Sequence, residues 1–153
     1  MIRARVGCGP WHPADLDREL AAAGGDAGAQ ASFVGRVRGD DGVEALELLH
    51  YEPLTRPAMQ DMVERAARRF GVGALLVYHS LGLHTVGQPL VYVGAAATHR
   101  RSAIEAVDYC MDHLKAAAWL WKRELRRGRW RWIEPRVEDH ADLARWRGKN
   151  APV

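Results

Sequence analysis

The segment from Ser102 to about Ala117 restricts this chain's fold more than any other. Ser102 and Glu105 stand at Ser-x-x-Glu spacing, the capping box in which each side chain satisfies a free backbone N–H at a helix start. Ala103, Val107, Cys110, Met111 and Leu114 then recur at helical spacing and make one apolar stripe. A helix apolar along one stripe must cover something. The remaining chain offers strands for it to cover.

PADLDRELAAAGG, from Pro13, reads as a helix stopped by Gly24 and Gly25. AQASFVGRV (29–37) reads as a strand with Phe33, Gly35 and Val37 on one face and Arg36 and Arg38 on the other. VRGDDG supplies turn residues, and VEALELLHYE from Val43 makes a second strand, so the two are expected to pair as a hairpin. TRPAMQDMVERAARRFG is a helix that Thr55 can cap. Its buried face is Met59, Met62, Val63, Ala66 and Phe70, and Gly71 ends it. ALLVYH and PLVYVGAAA are strands joined by the loop-like LGLHTVGQ. LWKREL and RWRWIE form a second hairpin, with tryptophan expected on its core face, and a short helix starts at Asp139 and includes Leu143 and Trp146. Interleaved hairpins and helices give an α+β fold with largely antiparallel pairing.

A chain of 153 residues reads as one domain with a sizeable core. No apolar run approaches the length of a membrane span, and MIRARVGCGPWHP lacks the apolar centre of a signal peptide. A cytoplasmic protein is expected. The two cysteines give no disulfide framework; Cys110 falls on the buried stripe and reads as a packing residue, and Cys8 has no assignment. There is no P-loop, no dinucleotide fingerprint, no Gly-x-Ser-x-Gly and no zinc-spaced His/Cys cluster. No metal is expected.

Basic residues carry the remaining information. Of 22 Lys+Arg only three are lysine, and two of them, Lys115 and Lys122, stand seven residues apart in HLKAAAWLWKRE. At a helix C-terminus arginine would serve the dipole as well. Lysine differs in losing its proton readily when buried or beside another cation. The exception therefore points to ammonium groups that must exchange protons. THRRS (98–102) sets His99, Arg100 and Arg101 at a helix N-terminus, already the positive end of the dipole. An anion such as phosphate would relieve that arrangement; arginines turned into water would explain it equally. Arg38, at a strand end, can be a fixed anion ligand or a solvated side chain. From Thr98 to Arg136 ten basic residues oppose five acidic ones. RRGRWRW fits single-stranded nucleic acid, though a tryptophan-faced hairpin accounts for it better.

Taken together, FVGRVR, the YEPLT segment with its helix, VGQPLVYVGAAATHRRSAIEAVDYCMDHLK, LWKRE and the RWIE strand resemble the large, catalytic subunit of molybdopterin synthase, from about Gly28 to Trp146. The resemblance implies an α/β hammerhead-type fold with an added hairpin subdomain and a dimer of large subunits within a heterotetramer. Each large subunit binds a small ubiquitin-like sulfur carrier whose Gly-Gly tail ends in a thiocarboxylate. Two sulfurs pass to cyclic pyranopterin monophosphate, giving the dithiolene of molybdopterin, with no resident cofactor. The matching positions are Phe33, Arg38, His99, Arg100 and Met111 for substrate and Lys115 and Lys122 for catalysis. Arg136 matches an arginine that the family supplies from the neighbouring subunit. Lys115 is then expected to be the principal acid/base group and Lys122 a second cation. His79-Ser80, Gly87-Gln88 and Trp119 depart from the family's usual His-Arg, Gly-Glu and proline. The first two fall in a strand connection assigned to structure or to a subunit interface, and Trp119 is close enough to the lysines to alter the pocket wall. The contrasting reading, a non-enzymatic basic module for nucleic acid or another phosphate-bearing partner, leaves the lysine exception unexplained.

Overall fold

The computed structural model describes residues 1–147. In chain order the elements are β1 (Ile2–Gly7), α1 (Pro13–Gly24), β2 (Ala29–Arg36), β3 (Val43–His50), α2 (Glu52–Phe70), β4 (Ala74–Ser80), β5 (Gly82–Thr85), β6 (Pro89–Ala97), α3 (Arg100–Lys115), β7 (Leu120–Arg126), β8 (Arg129–Ile133) and α4 (Val137–Ala144). Two four-stranded sheets result, ordered β1-β4-β6-β2 and β5-β3-β7-β8. Only the β1–β4 pair is parallel. The architecture is α+β, as expected.

The first sheet is buried on both faces, so β4 and β6 read as unbroken apolar runs rather than alternating ones. On one face Leu75, Val77, Val93 and Ala95 meet Met59, Val63 and Ala66 of α2 and Ala103, Ala106 and Cys110 of α3. On the other, Leu76, Tyr92 and Ala96 meet Leu16 and Leu20 of α1. Gly94 lets α1 approach: a Cβ there would lie 2.4 Å from the Tyr92 hydroxyl and 2.7 Å from Leu20 Cδ2. The buried Tyr92 hydroxyl donates to Asp17 Oδ1 at 2.7 Å, so α1 is tied by a bond as well as by contact.

The expected β2–β3 hairpin does not form. β2 pairs with β6 in the first sheet and β3 lies between β5 and β7 in the second. The connection explains this. Val37 is 5% exposed, and its N–H and C=O bond Gln88 O (3.0 Å) and Gly87 N (2.9 Å), which carries the chain toward the β5–β6 turn. The expected loop LGLHTVGQ likewise contains a strand, β5, which pairs with β3 after the chain turns at Gly82 (φ 84°) and changes sheets.

Two caps also differ. α2 begins at Glu52, three residues before Thr55, because Pro53 is preset for a first helical turn. Thr55 is fully buried instead, its hydroxyl 3.1 Å from Tyr51 O and 2.9 Å from Trp119 O. α3 starts at Arg100 on leaving β6, with His99 at the cap and no side-chain capping bond. Ser102 and Glu105 therefore sit inside the first turns and make no capping box, and the helix ends at Lys115. α4 starts two residues before Asp139. The β7–β8 hairpin forms, but Trp130 and Trp132 are not on a core face. They are 40% and 63% exposed, because their partners Leu125 and Arg123 point away from the face that carries Lys122. Cys110 is fully buried, and burial pushes its thiol up to about 12, which suits a packing residue.

Candidate active site

The two sheets and the C-terminal end of α3 enclose a cavity of about 530 Å³. Its walls bring together most of the residues singled out from sequence: Phe33, Arg38, Met111, Lys115, Lys122 and Arg136. Each arrives by a simple route. Met111 and Lys115 lie four residues apart on α3, on the same side of the helix. Lys122 pairs with Leu48 in the β3–β7 ladder and shares its inward face, where Leu48 is 1% exposed.

The cavity also takes Gly35, Arg36, Leu46, Leu48, His79 and Val91, none of which sequence reading placed in a site. Strict alternation puts Arg36 opposite Phe33 and Gly35. The β2–β6 register shifts between Gly35 and Arg36, and at this end of the strand residues of both faces border the cavity: Phe33, Val34, Gly35, Arg36 and Arg38 all line it, while Arg36 Nη1 donates to Gly87 O at 3.1 Å. Gly35 is needed there, since a Cβ would lie 2.7 Å from Val91 Cγ1 and 3.3 Å from Phe33 Cε1.

The charges are strongly one-sided. Arg36, Arg38, Lys115, Lys122 and Arg136 all face the space. Burial pushes the Lys122 ammonium below the usual lysine range; Lys115 adds to this and Asp139 opposes it. Lys115 stands at the rim, its side chain 47% exposed and 3.9 Å from Asp139 Oδ1. The desolvation expected of the catalytic lysines thus falls on Lys122. His79 is held neutral: burial first, then the Lys122 charge, lowers it to about 4. Its Nδ1 lies 2.9 Å from Ser80 O, and a carbonyl can only accept, so Nδ1 carries the hydrogen and Nε2 a free lone pair.

His99 and Arg100 are not in this cavity. They are exposed at the opposite end of α3, about 22 Å from Lys115 at 1.5 Å per helical residue. Arg136, by contrast, lines the cavity of its own chain.

Residues 10–117 match the MoaE protein family. A molybdopterin synthase catalytic subunit from Caulobacter vibrioides is 38% identical over 138 residues, covering 90% of this chain and 92% of that one. The solved MoaE protein of Burkholderia ambifaria superposes with a TM-score of 0.82 at 33% identity, covering 95% of this chain and 98% of that one. A complex of subunits 1 and 2 of molybdopterin-converting factor from Helicobacter pylori contains a chain that superposes at 0.73, with 25% identity and 87% and 91% coverage. This chain belongs to the MoaE family of molybdopterin synthase catalytic subunits.

Its departures from the MoaE pattern have structural explanations here. Ser80 Oγ accepts the Trp11 indole N–H at 2.9 Å, and Gln88 Oε1 accepts Thr85 N–H at 2.8 Å within a turn. Trp119 packs against the main core and is not among the cavity-lining residues. His79 alone of this group reaches the cavity. Its signal in sequence, a polar residue ending an apolar strand, is indistinguishable from an ordinary strand end.

Proposed function

We propose that the cavity between the sheets is the sulfur-transfer site of this MoaE-family subunit. There the thiocarboxylate of a small ubiquitin-like carrier would deliver sulfur to cyclic pyranopterin monophosphate, one atom per thiocarboxylate, in two successive transfers. The observation that carries this reading is the meeting of Lys115 and Lys122 with three arginines in one cavity. A phosphate ester needs fixed cations, which Arg36, Arg38 and Arg136 provide. Acyl transfer from a thiocarboxylate passes through an anionic tetrahedral species, which preformed positive charge stabilises. Opening the cyclic phosphate and expelling oxygen from the pterin carbons require proton delivery. Lys122, short of water and with a lowered proton affinity, suits that role. Lys115 at the rim suits contact with the carrier's terminal glycine.

A second hollow supplies the route in. It is bounded by Ala31, Ser32 and Phe33 of β2 and Ile104, Val107 and Met111 of α3, and it ends at Lys115. A Gly-Gly tail, having no side chains, could lie extended in it. No resident cofactor is required, because the carrier brings the sulfur. Among the described residues no helix is long and apolar enough to cross a membrane, and a cytoplasmic location suits a biosynthetic enzyme. His99 and Arg100 would join substrate only from a second large subunit, in a heterotetramer of two large and two carrier subunits. A phosphate-binding module without chemistry would have no need to place its two lysines together.

The test supplies thiocarboxylated carrier and cyclic pyranopterin monophosphate to wild type, Lys115→Arg and Lys122→Arg and follows dithiolene product. Arginine keeps the charge but not the exchangeable proton. Each variant is expected to bind carrier normally and lose about 100-fold or more in turnover. Full turnover by either variant would reduce that lysine to a mere cation.

A further inference from the structure

We propose that Asp139 is a positioning residue of the cavity: its carboxylate ties Arg136 to the start of α4, faces Lys115, and sets how positive charge is shared between the two lysines. Its consequence for turnover rests on the sulfur-transfer reading; its geometry does not.

Asp139 is the third residue of α4 and is only 8% exposed. Its Oδ2 accepts the backbone N–H of Arg136 at 2.9 Å and lies 3.6 Å from the Arg136 guanidinium Nε. Its Oδ1 is 3.9 Å from Lys115 Nζ. One carboxylate therefore touches two of the cavity's cations. Burial alone would favour the protonated acid, but the Arg136 backbone hydrogen bond and the charges of Arg136 and Lys115 outweigh it and hold Asp139 below the usual carboxylate range. The other end of α4 is anchored independently. Arg145 Nε and Nη2 (3.0 and 2.7 Å) and Trp146 Nε1 (2.7 Å) converge on Asp112 Oδ2 of α3. Held at both ends, α4 cannot carry Asp139 away from the rim without breaking one of these ties.

The groups around Lys122 make that carboxylate matter. Lys115 on α3, Arg36 and Arg38 at the end of β2, and Arg136 before α4 are cations, and His79 on β4 is neutral. Glu124, two residues along β7, is engaged by Arg126 at 3.0 Å. Asp139 is the negative group whose field opposes loss of the Lys122 proton. Without it, Lys122 would hold its proton less tightly and Lys115 would lose its partner at the rim.

The chain's three lysines make a direct test practicable. Protein labelled with 13C at lysine Cε gives three resonances, assigned through Lys115→Arg and Lys122→Arg, and each is titrated without ligands. Asp139→Asn keeps the side chain's shape and an acceptor for the Arg136 N–H while removing the charge. The Lys122 midpoint is expected to fall by about one unit, with the basic limb of the pH–rate profile for sulfur transfer moving by the same amount. Asp139→Glu should restore part of both. An unchanged Lys122 midpoint in folded Asp139→Asn overturns the proposal. If that variant does not fold, Asp139→Ser, whose hydroxyl can still accept the Arg136 N–H, is titrated and judged by the same midpoint. If no protein makes product, the titration still decides the role of Asp139 and only the sulfur-transfer reading falls.

Discussion

The two sheets are built on different physics. The first, β1-β4-β6-β2, is closed over by α1 on one face and by α2 and α3 on the other, and its central strands hold together by apolar burial. The second, β5-β3-β7-β8, has one face on the cavity and one open. Beyond its backbone ladders it carries charge across its strands: Arg123 pairs with Glu47, and its guanidinium sits 4.6 Å from the Trp130 ring and 5.9 Å from that of Trp132. The first sheet thus supplies stability, while the second presents Lys122 to the space between them. The difference teaches that the candidate site lies at the seam, where the buried sheet meets the open one and charged side chains share a space with apolar ones.

The largest effect that could break this division is a cavity in the first sheet. Leu76 is fully buried and faces α1, away from the active-site cavity. Leu76→Ala should cost about 3 kcal/mol of stability, measured by urea unfolding. Turnover well below the melting temperature should match wild type. A variant that stayed folded yet lost activity would show that the first sheet shapes the chemistry directly.

His79 sits where the two sheets meet and gives a smaller, pH-dependent effect. Buried and lowered to about 4, it takes up a proton less readily in the folded chain than in the unfolded one, whose histidine titrates near 6.5. Between those values the unfolded state binds more protons, so stability present above pH 6.5 declines as pH falls toward 4. The full loss amounts to about 3 kcal/mol at the acid end of that window. His79→Gln should flatten this limb in melting experiments run from pH 7 to 4. A limb unchanged by the substitution would place the acid sensitivity elsewhere.

The same contrast marks how far the sequence could be read. In the first sheet and its helices, burial forces the pattern into the open. The apolar runs of β4 and β6, the Met59–Ala66 face of α2 and the Ala103–Leu114 stripe of α3 all stand where the residues alone put them. What depended on partners distant in sequence was not readable. β2 and β3 looked like a hairpin because turn residues lie between them, but the hydrogen bonds of Val37 belong to Gly87 and Gln88. β5 was hidden in a glycine-bearing stretch because its reason for being a strand is β3. For the site, the lysine exception named Lys115 and Lys122 from residue choice alone, since a chain rich in arginine has to depart from habit to place them. Arg36 could not be named, because alternation separates it from Phe33 and gives no sign that both faces border the cavity at this strand end. Nor could the greater burial of Lys122, which depends on how closely α3, β3 and α4 gather around it.

The smallest effect concerns the open face. Trp132 is 63% exposed, and the contact recorded for its ring is the Arg123 guanidinium at 5.9 Å. Such a cation–π pair contributes about 0.5 kcal/mol at an exposed site. Trp132→Ala should therefore lower stability by no more than about that amount, with sulfur-transfer turnover unchanged, because the ring points away from the face carrying Lys122. Differential scanning calorimetry at two protein concentrations checks it. A loss of several kcal/mol, with a melting temperature that rises with concentration in wild type but not in the variant, would mean that the outer face of the second sheet is covered in solution. The division between a closed, stabilising sheet and an open, chemical one would then hold for the isolated chain and not for the assembled enzyme.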